Sequence, residues 1–99
     1  MAILAFFTGT ISKDQYDVIR REINWEGNPP SGVLFHAASF DDAGQAHVAD
    51  VWESAEQMND FAQKKLMPAF MKHNVQLPSV VVYPLHNMNA YEGLAKYQV

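Results

Sequence analysis

Few side chains in this sequence have the reach to do chemistry, and most of them are histidines. His36, His47, His73 and His86 are the four present. An imidazole takes or gives a proton near neutral pH after only a small shift, which makes His36 a candidate general acid–base group. Asp50 stands in the apolar stretch 45–53, where a carboxylate needs a partner or a special role. His36 and Asp50 are therefore the candidate catalytic pair. Trp52, two residues beyond Asp50, offers a flat wall to an aromatic ligand, and would serve equally as a core anchor. His47, Tyr83 and His86 are candidate substrate contacts, with His86 beside Asn87 at the mouth of a pocket. His36, His47 and Asp50 do not have the spacing of a metal site. The chain has no cysteine, which removes thiolate catalysis and thiolate metal ligands. It also lacks a nucleophile elbow and a glycine-rich phosphate loop. Neither a metal nor a cofactor is expected.

These side chains must be positioned by short elements. Residues 2–8 form an apolar run that reads as a strand ended by Gly9. Ser12 with Gln15 makes a capping box, and Ile11 with Tyr16 a hydrophobic staple. Tyr16, Ile19 and Ile23 then mark the apolar stripe of a first helix. Gly27, Pro29 and Pro30 place a loop before residue 33. Residues 33–40 and 45–53 read as two strands joined by a four-residue turn, an antiparallel hairpin. Ser54 with Gln57 opens a second helix through Met58, Phe61, Leu66 and Phe70, which Pro68 must kink or break. Residues 79–85 read as a fourth strand, with Pro84 near its end. A tail, 87–99, follows the core at 2–86.

The order β-α-β-β-α-β predicts one α+β domain over residues 1–99. It is a ferredoxin-like four-stranded antiparallel sheet with two helices on one face. Pairing Phe40 with Gln45 in the hairpin puts His36, His47 and Val51 on one sheet face, and Phe35, Asp50 and Trp52 on the other. A slip of one residue would mix those sets. The first and fourth strands are apolar on both faces. The face without helices is therefore expected to be buried, either by a second copy of the chain about a two-fold axis or by the C-terminal tail.

The chain has 99 residues and a formal net charge of −4, with 48% hydrophobic and 12% aromatic residues. An acidic chain repels phosphate backbones, so nucleic acid is not an expected partner. No run reaches membrane-spanning length, and the apolar start lacks the basic flank of a signal peptide. With no cysteine, the expectation is a cytoplasmic protein.

The stretch Asp50-Val51-Trp52-Glu53-Ser54, followed by Met58 and Phe61, resembles the dimeric α/β-barrel superfamily, and in it the antibiotic-biosynthesis-monooxygenase group. Leu66-Met67-Pro68-Ala69, then Pro78, a valine-rich strand and His86-Asn87, resemble a subfamily of small bacterial proteins. The resemblance covers about residues 2–88. It implies that two protomers join their sheets into a barrel, with an apolar pocket between sheet and helices. It also implies activities such as oxidation of polycyclic phenols or quinols without a cofactor. The haem-degrading branch is matched only at Trp52. Its helix histidine would fall near Ala62, and residues 2–8 hold no asparagine. The expected function is a cofactor-independent monooxygenase, or a related enzyme, acting on a flat apolar or phenolic molecule. The alternatives are a non-catalytic module that binds or senses such a molecule, and a purely structural dimer.

Overall fold

The computed structural model describes all 99 residues, Met1–Val99. Four strands, β1 (Ile3–Thr10), β2 (Val33–Phe40), β3 (Gln45–Trp52) and β4 (Ser79–Pro84), form one antiparallel sheet in the order β2-β3-β1-β4. Helix α1 (Lys13–Ile23) crosses from β1 to β2, and a second helical region crosses from β3 to β4. This is the ferredoxin-like arrangement that the residue pattern predicts. No helix is long and apolar enough to cross a membrane.

The barrel implied by the resemblance is not formed. The sheet is open, with β2 and β4 as edge strands paired on one side only. Closing a barrel whose interior side chains can fill takes about eight strands, and this chain supplies four. Nor does the tail bury the helix-free face, where Phe6, Val81 and Tyr83 stay exposed.

Helix α1 begins as its residues dictate. Ser12 Oγ accepts the Gln15 backbone N–H at 3.0 Å, and Gln15 Oε1 accepts that of Ser12 at 3.0 Å. Its far end is closed by Asn24 in the left-handed conformation, φ 60°. The Asn24 N–H reaches the Arg21 carbonyl and the Trp25 N–H that of Arg20, the two bonds of a Schellman cap. The second region opens at Ser54, whose Oγ accepts the Gln57 N–H. Here the reciprocal half of the expected capping box is missing. The Gln57 side chain turns instead to the Ser54 hydroxyl and to Ser31 in the loop before β2.

Pro68 falls in the first turn of a new α-helical segment, as the expected break would place it, but the helical run continues through it. Helix α2 (Ala55–Phe61) widens into a π-turn (Ala62–Leu66) and resumes as α3 (Met67–Lys72). Proline has no N–H to offer the Lys64 carbonyl, and its ring crowds that oxygen. The backbone swells so that the Met67 N–H bonds to the Ala62 carbonyl, five residues back. Glu22 ties α3 to α1 by accepting from Lys72 Nζ at 2.9 Å and His73 Nε2 at 3.2 Å.

The core is in two parts. Ile11, Ile19, Ala46, Ala69 and Val75 form one cluster, and Ile3, Ala5, Trp52 and Met58 the other. A cavity lies between sheet and helices, lined by members of both.

Candidate functional site

The site is built on the pairing of β2 with β3, and that pairing differs from the expected one. At the open end of the hairpin, Val33 faces Trp52 as predicted. Leu34 is then an extra residue in β2, a bulge, and from Phe35 onward every partner moves by one. At the turn, Phe40 faces Ala46, not Gln45. The connection is correspondingly longer, held by Asp41, whose Oδ1 accepts the backbone N–H groups of Ala43 and Gln45. Gly44 there takes a φ of 81°, the left-handed region that favours glycine. The shift puts His36 directly opposite Asp50 and leaves His47 opposite Ser39 on the other face. The candidate catalytic pair, placed on opposite faces by the simple hairpin, is thus brought together.

Asp50 is 4% exposed, the one buried charged residue of the chain. Both its oxygens have partners. Oδ1 is 2.7 Å from His36 Nδ1, and Oδ2 accepts the Trp52 indole N–H at 3.2 Å. Trp52 is in reach because residues two apart on a strand share a face. A carboxylate only accepts, so His36 donates its Nδ1 hydrogen to Asp50 and presents a lone pair at Nε2. That lone pair accepts the Tyr16 hydroxyl, 2.7 Å away. Tyr16, His36, Asp50 and Trp52 form one continuous chain of hydrogen bonds from α1 across the sheet. Burial pushes the Tyr16 phenol up to about 12, with Arg20 pulling the other way and Asp50 adding to the rise. Tyr16 therefore carries its proton at any ordinary pH.

This polar chain borders an apolar cavity of about 90 Å³. Phe7 and Val48 contribute from the sheet, Ile19 and Ile23 from α1, and Met58 and Phe61 from α2. Ala62 and Leu66, the two ends of the π-turn, also line it, so the widening at Pro68 shapes the wall. Trp25 completes it. Its ring lies 4.4 Å from that of His36, 5.2 Å edge-to-face from Phe61 and 6.3 Å edge-to-face from Trp52. Such edge-to-face pairs add to what burial alone contributes. Arg20 reaches the cavity too, with its charge engaged by Asp17 and Glu26.

The remaining candidates lie elsewhere. The His47 side chain is half exposed and bonds to Asp41 at the turn, at 2.8 Å. Tyr83 is 54% exposed on β4, its ring 6.4 Å from that of Phe6. His86 is exposed beyond the end of β4. None of the three lines the cavity. Tyr16 and Trp25, which their sequence positions do not mark as site residues, do line it. A hydroxyl on an otherwise apolar stripe was the signal for Tyr16. The Asn24 cap that turns Trp25 back over the helix leaves no comparable mark. No three histidine, aspartate or glutamate side chains converge in a way that could hold a metal ion.

No protein-family model matches this chain, and no curated protein does. Solved structures match it along most of its length. SnoaB, a cofactor-independent oxygenase from Streptomyces nogalater, is 10% identical, with 88% of this chain and 93% of that one covered at a TM-score of 0.60. A candidate antibiotic biosynthesis monooxygenase from Deinococcus radiodurans is 18% identical over 94% of this chain and 100% of that one, at 0.59. Rv0793 from Mycobacterium tuberculosis is 8% identical over 91% and 100%, at 0.62. The chain thus has the ferredoxin-like fold found among antibiotic-biosynthesis-monooxygenase structures. At such identities the likeness speaks for the fold alone.

Proposed function

We propose that this protein is a cofactor-independent monooxygenase of flat phenolic molecules and works as a homodimer. The observation that carries the reading is a histidine locked to a buried carboxylate at the wall of an apolar, aromatic-lined cavity. SnoaB, which shares the fold, is a cofactor-independent oxygenase, and the proposal extends that class of chemistry to this chain by analogy. Asp50 holds His36 in the tautomer that accepts a proton at Nε2, and stabilises the imidazolium that results. Trp52 fixes the second carboxylate oxygen and walls the cavity. A substrate such as an anthrone loses a proton, which comes to rest on His36, and becomes a carbanion conjugated with its ring oxygen. The carbanion gives electrons to dioxygen, forming a carbon–oxygen bond, and the terminal oxygen of the peroxide takes back the proton that His36 stored. Loss of the remaining hydrogen on that carbon, with cleavage of the oxygen–oxygen bond, leaves a quinone and one water. Dioxygen is the only oxidant required. The apolar wall keeps bulk water from the carbanion.

Oxygen uptake by metal-free protein, over a panel of anthrones and hydroquinones, tests this. Uptake is expected with at least one of them, and a loss of about 100-fold or more in His36→Gln, the usual scale for removing a general base. Gln is preferred to Ala because it leaves Asp50 a donor. A compound that raises the melting temperature and is recovered unchanged would instead point to a binding module.

The homodimer is supported by the helix-free face. Leu4, Phe6, Val81 and Tyr83 are neighbours on it by their pairing. Phe6, Val81 and Tyr83 are each more than 40% exposed. A two-fold axis lets such a patch cover itself.

A further inference from the structure

Neither nitrogen of His36 is free to meet a substrate. Nδ1 is given to Asp50, and Nε2 is taken by the Tyr16 hydroxyl, each at 2.7 Å. The Tyr16 oxygen donates one hydrogen and keeps a lone pair, and its side chain lines the cavity. We propose that Tyr16 is the residue that touches the substrate, and that it relays the proton of an acidic hydroxyl on a single aromatic ring to His36. This rests on the oxygenase reading for its purpose, but not for its geometry.

The relay moves two protons and breaks no other bond. The substrate hydroxyl gives its proton to the Tyr16 oxygen while the Tyr16 proton passes to His36 Nε2. Afterwards Tyr16 donates to the new phenolate, and the imidazolium N–H donates to Tyr16. Asp50 balances the imidazolium. A tyrosine whose burial opposes its ionisation suits this role, because it hands a proton on and does not hold a negative charge.

The surroundings set the substrate class. The charged groups about the relay are Arg20 and Asp17 on α1, Glu26 in the following loop and Asp50 on β3. Arg20 is held by Asp17 and Glu26, so the cavity offers no free cation to a carboxylate or phosphate. The substrate therefore enters neutral. A cavity of about 90 Å³ is smaller than the ~150 Å³ void that encloses benzene, so it takes only the hydroxyl-bearing edge of one ring and leaves the rest of the molecule at its mouth.

The test uses 4-nitrophenol as the probe, whose phenolate absorbs in the visible. Bound to the wild-type protein, it should ionise at a pH at least about one unit below that of the free probe, a tenfold shift in the equilibrium. Tyr16→Phe should bind it within a few-fold and lose most of that shift, as should His36→Gln. 4-Nitrobenzoate should not bind. Near-ultraviolet circular dichroism of the Trp25–Trp52 cluster confirms that each variant is folded. Were Tyr16→Phe not to fold, the wild-type shift and its loss in His36→Gln still decide the matter. An unshifted probe, no binding, or a folded Tyr16→Phe that ionises the probe like wild type would overturn the proposal. A shifted probe without oxygen uptake from any panel member supports the relay and retires the oxygenase. Oxygen uptake unchanged in Tyr16→Phe keeps the oxygenase and retires the relay.

Discussion

Asp50 sets the character of the site, because a buried carboxylate must be fully partnered to be tolerated. Removing one partner of such a pair typically costs about 3–5 kcal/mol, since the charge left behind has no water to turn to. His36 and Trp52 supply the partners, and Tyr16 completes the chain at the far side of the imidazole. Tyr16 also leaves a thermodynamic trace. Its proton is held to about 12 in the folded state, against 10.0 when unperturbed. Below pH 10 both states keep the proton and the stabilisation is present in full. Between the two values only the unfolded chain releases it, so the contribution is lost as pH rises through the folded value. Urea midpoints should therefore fall more steeply across this alkaline range in wild type than in Tyr16→Phe. Equal slopes would mean that the phenol is not buried as the structure has it.

At the level of elements, most of the architecture was legible. Ser12 and Gln15, the Pro29-Pro30 pair and the apolar stripe of α1 act locally, so their residue types suffice to place them. The register of β2 against β3 was not. It turns on Leu34 slipping out as a bulge and on Asp41 gathering the turn, and neither has a signature stronger than the simpler four-residue connection. One residue of slip decides whether His36 meets Asp50, because side chains alternate across a strand. The form of the break at Pro68 was equally hidden. A missing N–H predicts disruption, but whether the helix kinks or widens depends on what packs around it, here the cavity wall at Ala62 and Leu66. His47, Tyr83 and His86 drew notice for their chemistry, and the fold takes all three away from the cavity.

For the molecule as a whole, the open sheet is the feature that asks for a partner. Contiguous exposed apolar side chains on Phe6, Val81 and Tyr83 are costly in water, and the chain's own tail leaves them uncovered. Sedimentation equilibrium should find a dimer that Phe6→Lys with Val81→Lys converts to monomer, while the Trp25–Trp52 dichroism persists. A wild-type monomer at all concentrations would remove the dimer without touching the cavity, which is lined by residues of one chain.

Every chemical step assigned to this protein depends on which nitrogen of His36 carries the hydrogen. Nitrogen-15 NMR of the imidazole, at mildly alkaline pH, reads that directly. The expected result is a protonated Nδ1 coupled to Asp50, and a bare Nε2 shifted by the hydrogen bond it accepts from Tyr16, an effect absent in Tyr16→Phe. A hydrogen found on Nε2 with Nδ1 bare would contradict it.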